Sequence, residues 1–230
     1  MASKMKCKIV SFEDVHEKIR DVAEQVKASK YEVTTIVGLA RGGWIPARLM
    51  CDFLGITDLV SLKVEHWLET GKTKDEATIK YPMRSSMRGK KLLVVDDITD
   101  TGKSLITSKE HLEKLDPEEI RIGVMQYITS SECKPDYYAE EVTDWYWFIY
   151  PWNWIEDTST LTVRLMSDEE GREWSLNSIN SGLQEAFGIT WNETMLGYIM
   201  QIMDERGQVD AVRRGGGLRY RLKRKAVVHL

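Results

Sequence analysis

The sequence predicts an α/β fold in which a mostly parallel sheet is flanked by helices, followed by a small, mainly helical C-terminal domain. Two patterns support this prediction. Apolar, β-branched segments of strand length alternate along the chain with segments of helical periodicity, which is typical of parallel strands joined by helical crossovers. The segment Leu92-Leu93-Val94-Val95 is apolar at every position, as expected for a strand that is covered on both faces.

The N-terminal part of this fold begins with an amphipathic helix over residues 11–29. Its apolar positions recur at intervals of three and four residues, and they are Phe12, Val15, Ile19, Val22 and Val26. A strand over residues 32–39 follows and ends at the glycine turn Arg41-Gly42-Gly43. A helix over residues 46–54 comes next, and Gly55 is expected to end it.

The central part contains further strands, one helix and one long polar segment. Strands are predicted at residues 58–64, 91–95, 120–128 and 145–150, and a helix over residues 104–115. Residues 65–82 are polar, charged and aperiodic, which predicts a long loop, with short strands inside it as the alternative. Loops of this length in compact domains are commonly functional.

The composition changes after Trp154, and we place a boundary near residue 160, which divides the chain into domains of residues 1–160 and 161–230. Helices are predicted over residues 168–188 and 191–206. Their expected inward-facing positions are Leu176, Ile179, Leu183, Phe187, Met195, Tyr198, Ile199 and Ile202. The tail, residues 212–229, is basic around three consecutive glycines.

The overall composition excludes several classes of protein. The 230 residues carry a formal net charge of −4, so the chain has no general attraction to nucleic acid or anionic membranes, and a phosphate ligand needs a local site. Cys7, Cys51 and Cys133 fit neither a disulfide framework nor a zinc site. No apolar run reaches the roughly 18 residues of a membrane span, and the start lacks a signal-peptide stretch, which predicts a cytoplasmic protein.

The residues most informative about function are 92–104. A buried strand delivers Asp96 and Asp97 to the carboxyl edge of the sheet, where open α/β sheets bind ligands. A turn containing Gly102 follows, and then a helix N-terminus. The backbone N–H groups there, with the hydroxyls of Thr101 and Ser104, suit a phosphate dianion. The two carboxylates are better matched to ribose hydroxyls or to Mg²⁺ and its waters.

Two other interpretations of this segment are weaker. Thr101-Gly102-Lys103-Ser104 is similar to the end of a P-loop, but that motif requires glycine at the position of Asp97. The segment could also be an acidic turn that only caps a helix through Asp100 or Thr101. Capping does not explain an apolar strand followed by three acids in five residues.

Residues 94–104 resemble the motif with which type I phosphoribosyltransferases bind phosphoribosyl pyrophosphate (PRPP). In that motif a hydrophobic pair, two acids, two variable residues and Asp-Thr-Gly-X-Ser/Thr follow in order. Residues 38–43 resemble the same family's pyrophosphate-binding loop, and the resemblance extends over roughly residues 9–154. It implies the type I phosphoribosyltransferase fold, Mg²⁺ as cofactor, a homodimer, a cis peptide at Ala40–Arg41 and a mobile hood over residues 65–82.

The resemblance also implies roles for individual residues. Binding of PRPP and nucleotide falls to Ala40, Arg41, Gly42, Asp96, Asp97, Ile98, Thr99, Asp100, Thr101, Gly102, Lys103 and Ser104. Asp96 and Asp97 would hold the metal or ribose, Arg41 would neutralise pyrophosphate, and Asp100 would handle a proton near the purine N7. Contacts to the base are expected from Ile98, Tyr127, Thr129, Trp147 and Phe148, with Trp147 stacking on it.

The choice of base depends on one departure from the family pattern. Residues 135–152 resemble the base-recognition segment of microbial 6-oxopurine phosphoribosyltransferases, but residues 127–131 lack the lysine that donates to the purine O6, and Lys134 comes later. A 6-amino group needs an acceptor instead, such as the Thr129 hydroxyl. The sequence therefore favours adenine, giving AMP and pyrophosphate in purine salvage, with hypoxanthine, guanine or xanthine as the alternative.

The non-enzyme alternative is a PRPP-sensing DNA-binding regulator. Residues 213–225 carry seven Lys and Arg around three glycines, and the preceding helices could complete a winged-helix module. The overall acidity and the complete PRPP motif weigh against this alternative. A membrane is not expected as a partner, nor is nucleic acid, and the last third is expected to be a helical appendage.

Overall fold

The computed structural model describes residues 5–69, 72–169, 171–215 and 217–223, with side chains described in all of these except residues 65–76. Its elements in chain order are β1 (Cys7–Ile9), α1 (Phe12–Ala28), β2 (Thr35–Ala40), α2 (Trp44–Leu54), β3 (Leu59–Glu69), β4 (Lys72–Tyr81), β5 (Lys91–Thr99), α3 (Lys103–Glu113), β6 (Glu119–Ile128), β7 (Tyr137–Val142), β8 (Trp147–Ile149), α4 (Trp154–Ser167), α5 (Leu176–Phe187), α6 (Glu193–Glu205), β9 (Val209–Arg214) and β10 (Gly217–Leu222).

The chain forms two compact units. The first is Ser11–Trp145, and the second combines the segment through Val10 with the chain from Tyr146 onward. This division comes earlier than the predicted boundary near residue 160, which lies inside α4. Strand pairing is the reason, because β8 pairs in parallel with β1 and so joins the N-terminal segment to the second unit. That residues 161–230 form a domain of their own stays a prediction.

The first unit is built on a sheet with the strand order β4-β3-β2-β5-β6-β7. Neighbouring strands run parallel except at the edge, where β4 is antiparallel to β3. β2 and β5 lie side by side at the centre of the sheet, and the strands that follow each of them are added outward in opposite directions. In open α/β sheets, ligands bind at the carboxyl ends of the strands where the direction of strand addition reverses. The predicted α/β class with a mostly parallel sheet is confirmed.

Both faces of this sheet are covered. On one face Leu92 and Val94 of β5 are fully buried and pack in a cluster with residues of α3. The intervening Leu93 faces the other side, where a Cβ added to Gly123 would lie 3.2 Å from Val22 of α1 and 3.7 Å from Leu93. Burial on both faces explains why the sequence of β5 shows no polar alternation.

Of the strands in the first unit, β7 was not predicted and β4 only as an alternative. Residues 65–82 were expected to be a long loop, with short strands as the alternative; residues 65–69 complete β3, and residues 72–81 form β4, which pairs antiparallel with β3. Ala77 and Ile79 are half-buried and Ile79 packs against the sheet's apolar cluster, whereas Thr78, Lys80 and Tyr81 are exposed. This alternation covers only five residues at the end of a charged segment, which is too short to identify the strand from sequence. β7 is an edge strand that contains Glu140 and Glu141. These charged residues interrupt the apolar alternation by which a strand is recognised in a sequence. The hood role of residues 65–82 stays a prediction.

The second unit contains α4, α5 and α6 followed by the antiparallel β9–β10 hairpin. The sequence did not predict α4 or the hairpin. The predicted helix over residues 168–188 is wrong at its start, because α5 begins only after Ser175, whose Oγ accepts a hydrogen bond from the Ser178 N–H at 3.1 Å. None of the described helices combines the length and apolar character that crossing a bilayer requires.

The inward face of α6 also differs in part from the prediction. Ile199 is fully buried as expected, but Tyr198 is 53% exposed. The other buried positions are Leu196, Met200 and Met203. Methionines occupy much of this core. The sequence had predicted Tyr198 on the inward face of α6, but the buried position is the next residue, Ile199.

Candidate active site

The turn after β2 is tightly packed against the sheet. The Ala40–Arg41 peptide is cis, as the resemblance implied. Gly43 starts α2, and its backbone N–H donates to the Leu39 carbonyl at 2.8 Å. A Cβ added to Gly43 would lie 2.4 Å from the Val95 carbonyl oxygen, closer than any real contact, so only glycine fits between β2 and β5.

The same turn meets the acidic end of β5. A Cβ added to Gly42 would lie 2.1 Å from Asp97 Oδ2, so the backbone of the turn lies directly against this carboxyl group. β2 and β5 are hydrogen-bonded neighbours, with Gly38 opposite Val95, which explains why segments distant in sequence meet here. The structure therefore brings together the two segments that the sequence had singled out separately.

Asp96 and Asp97 form a half-buried pair of acids at this edge. The Asp97 N–H donates to Asp96 Oδ1 and the Ile98 N–H donates to Asp97 Oδ1, both at 2.9 Å. Burial raises the pKa of the Asp96 carboxyl well above its ordinary value, and the neighbouring Asp97 charge raises it further. A cation or ribose hydroxyls bound here would offset both costs.

This pair fits the Mg²⁺ ion that the resemblance implies. Mg²⁺ prefers oxygen ligands and is commonly held by one or two carboxylates together with substrate oxygens and water. Asp96 and Asp97 are the residues that would hold it, and the remaining ligands would come from PRPP and water.

The turn between β5 and α3 packs against the segment that follows β6. Gly102 has φ of +84°, and a Cβ there would lie 2.6 Å from the Cys133 nitrogen. Thr99 Oγ1 and Ser131 Oγ share a hydrogen bond at 2.8 Å, and the Glu132 N–H donates to the Thr101 carbonyl at 3.1 Å. These contacts hold the turn, so the predicted phosphate-binding residues Thr101 to Ser104 lie at the N-terminus of α3.

Two residues near this turn make hydrogen bonds that the sequence did not predict. Ser131 was considered only for the base, although it supports Thr99. Trp145 was singled out only as part of the segment that resembles a base-recognition region, yet its Nε1–H donates to Asp100 Oδ1 at 3.2 Å. Its side chain is 42% exposed. The only sequence signal for this contact was the aromatic cluster beginning at Trp145.

The residues predicted to contact the base lie in different places. Ile98 is half-buried at the end of β5, and Thr129 is exposed just after β6. Tyr127 is 8% exposed and its ring packs on Tyr138 with centroids 5.2 Å apart, so the expectation that its side chain contacts the base is not supported. Burial within the sheet's apolar cluster is the physical reason.

Trp147 and Phe148 belong to the second unit. Trp147 is half-buried and packs against that unit's apolar core. Phe148 is 6% exposed, with Lys8 Nζ lying 5.8 Å from its ring centroid. Both residues contribute to packing in the second unit, and their contact with a base stays a prediction.

Comparison with known proteins identifies this arrangement. Residues 11–156 match the family described as the phosphoribosyl transferase domain. The chain is 28% identical over 145 residues to a xanthine-guanine phosphoribosyltransferase of Idiomarina loihiensis, covering 63% of this chain and 85% of that protein. It is 27% identical over 164 residues to a xanthine-guanine phosphoribosyltransferase of Gluconobacter oxydans, covering 70% and 91%.

Solved structures agree with the sequence relatives. The chain is similar to a purine phosphoribosyltransferase from Pyrococcus horikoshii, with a TM-score of 0.55 and 30% identity, covering 64% of this chain and 95% of that one. The region matched by the family contains the turn at Gly42 and the acids of β5, and it ends at residue 156, before α5 begins. The chain therefore belongs to the phosphoribosyl transferase domain family, as an enzyme of its purine branch.

Proposed function

We propose that this enzyme transfers the ribose 5-phosphate unit of PRPP to a 6-oxopurine, with xanthine or guanine as the preferred base, and releases pyrophosphate. The observation that carries the reaction is the contact of the Gly42 backbone with the Asp97 carboxyl group at the carboxyl ends of β2 and β5. The class of base rests on the names of the two relatives, both xanthine-guanine phosphoribosyltransferases.

The proposed mechanism relies on positioning. The 5-phosphate lies at the N-terminus of α3, where backbone N–H groups and the hydroxyls of Thr101 and Ser104 donate to it. Asp96 and Asp97 orient the ribose hydroxyls. Arg41 and the amides of its turn neutralise the pyrophosphate as it leaves.

Two further parts complete this mechanism. Bound Mg²⁺ would add positive charge beside the departing pyrophosphate. Asp100, which Trp145 holds by a hydrogen bond, accepts or donates the proton at the purine N7 while the base nitrogen forms its bond to ribose C1.

Adenine is the second candidate base, and one feature of the chain favours it. The segment after β6 offers no lysine at the carboxyl edge of the sheet, since Lys134 comes just before Asp136, whose carboxyl oxygen accepts from the Ile122 N–H near the opposite end of β6. Lys134 Nζ instead lies 6.0 Å from the ring centroid of Tyr138. A backbone donor would then have to serve the O6 of a 6-oxopurine.

The test is nucleotide formation by the purified chain with PRPP and Mg²⁺, using xanthine, guanine, hypoxanthine, adenine, uracil and orotate in parallel. We expect the largest kcat/KM with xanthine or guanine and no product without Mg²⁺. A larger kcat/KM with adenine would overturn the choice of base but not of reaction, whereas no product with any base would overturn both. A homodimer and a cytoplasmic location accompany this proposal, and light scattering tests the first.

A further inference from the structure

The C-terminal segment that contains the β9–β10 hairpin concentrates positive charge in an otherwise acidic chain. Residues 210–225 contain seven Lys and Arg against one carboxylate, a net of +6 within a chain of −4. The family match ends at residue 156, so this segment lies outside the part that the phosphoribosyltransferase chemistry accounts for.

One face of the hairpin displays arginines. The register places Asp210 opposite Arg221, Val212 opposite Arg219 and Arg214 opposite Gly217. Because side chains alternate between the faces of a strand, Arg214, Arg219 and Arg221 share one face, and all three are exposed.

The opposite face is apolar where the hairpin joins the unit. It buries Val209 and Tyr220 in the core of the second unit, and it carries the exposed Arg213 only near the turn. The hairpin is therefore anchored at one end and charged along the rest.

Among the residues that the structure describes, ion pairs neutralise only part of this charge. Arg214 pairs with Glu173 at 3.5 Å, and Asp210 pairs with Arg221 at 3.6 Å and with Lys223 at 3.2 Å. Across the ranges that the structure describes, neither Arg213 nor Arg219 has an ion pair. Exposed ion pairs contribute little to stability, so a polyanion could compete for the paired arginines as well.

The hairpin is joined to the helical part of the second unit by backbone hydrogen bonds. Trp174, between α4 and α5, exchanges two backbone hydrogen bonds of 2.8 Å with Tyr220 of β10, which form a single antiparallel bridge at the edge of the hairpin. On α6, Thr194, Tyr198 and Gln201 form an exposed stripe of neutral hydrogen-bonding side chains, with Glu193 and Glu205 at the two ends of the helix. The unit thus presents a polar helix and a basic two-stranded ribbon.

We propose that this surface, formed by β9, β10 and the stripe on α6, binds double-stranded DNA. The major groove of DNA admits an α-helix or a two-stranded ribbon, and arginines are suited to its phosphates. The major groove of an RNA duplex is too deep and narrow for side chains, which favours DNA as the partner. This proposal does not rest on the base or the reaction proposed above.

The test is fluorescence anisotropy of the full chain with a labelled mixed-sequence duplex about two helical turns long, over about 50 to 200 mM KCl. We expect salt-sensitive binding. The double variant Arg214→Gln, Arg219→Gln, which removes two charges from the arginine face, should bind at least about ten-fold more weakly at low salt, and the slope of log K against log salt should shrink by about 1.8, or 0.9 per lost phosphate contact. Arg20→Gln, Arg88→Gln, which removes the same charge from exposed positions of the first unit, should change neither value.

A second double variant tests α6 without changing the charge. Tyr198→Ala, Gln201→Ala should weaken binding while leaving the salt slope unchanged. The proposal fails if the wild-type chain shows no salt-sensitive binding, if the two arginine pairs weaken it equally, or if an RNA duplex or anionic vesicles bind more tightly than DNA. PRPP-dependent nucleotide formation, measured on every variant, reports folding of the first unit and separately tests the proposed function.

Discussion

The two units contain glycine turns that look alike in sequence and differ in physical role. Arg41-Gly42-Gly43 and Arg214-Gly215-Gly216-Gly217 both place glycines directly after an arginine. In the first turn, added Cβ atoms would lie 2.1 Å from Asp97 and 2.4 Å from the Val95 carbonyl. In the second, no atom of the described residues lies within 4 Å of a Cβ added to Gly215, whose φ is +51°. Glycine allows close packing in one turn and a left-handed backbone in the other.

The largest effect should come from Gly43→Ala. Its Cβ would meet backbone atoms of Leu39 and Val95, which belong to central strands and cannot move aside. We expect the free energy of unfolding to fall by about 3 kcal/mol, measured by urea denaturation. Gly197→Ala is the matched control, since its Cβ would meet only Leu176 at 3.7 Å. Equal losses from the two variants would contradict the packing role of the first turn.

Gly42→Ala should affect catalysis more than stability. The new methyl group would displace the Asp97 carboxylate, and a misplacement of about 1 Å can cost about 100-fold in rate. We expect kcat/KM for PRPP to fall by about that factor in steady-state assays, with a smaller loss of stability than in Gly43→Ala. Unchanged kinetics would show that Asp97 has no part in binding PRPP or metal.

Asp96→Asn should stabilise the ligand-free protein while removing activity. Burial and the Asp97 charge raise the folded-state pKa of Asp96, so its ionised form destabilises the fold above that pKa. We expect the free energy of unfolding at pH 7, without Mg²⁺ or PRPP, to be higher than that of the wild type. The gain should disappear as the pH falls below about 4, where the carboxyl is protonated in both states. A gain that persists at low pH would exclude ionisation as its cause.

The smallest effect should come from Gly215→Ala, in the second turn. The substitution meets no steric contact, and only the left-handed backbone opposes it, at about 1 kcal/mol. We expect a small loss of stability of the second unit and unchanged PRPP kinetics. A loss as large as that of Gly43→Ala would remove the distinction between the two turns.

The sequence predicted the first unit well where its strands are buried on both faces. α1, α2, β5, α3 and β6 were predicted because burial selects a periodicity that can be read from one chain. β7 was missed, and β4 was foreseen only as an alternative, because both are edge strands in which charged residues interrupt the apolar alternation. Tyr127 was assigned to the base because its segment matched, and only packing on Tyr138 revealed that its ring is buried.

By itself, the sequence determined the PRPP motif, because the strand, the two acids, the turn and the start of the helix follow one another along the chain. Local structure alone therefore places them next to each other. Tertiary structure decided everything that joins distant segments: the contact of Gly42 with Asp97, the hydrogen bond from Trp145 to Asp100, and the pairing of β1 with β8. It also turned a basic tail into a two-sided ribbon with Arg214, Arg219 and Arg221 on one face. Such contacts depend on strand order and register, which no local pattern of residues encodes.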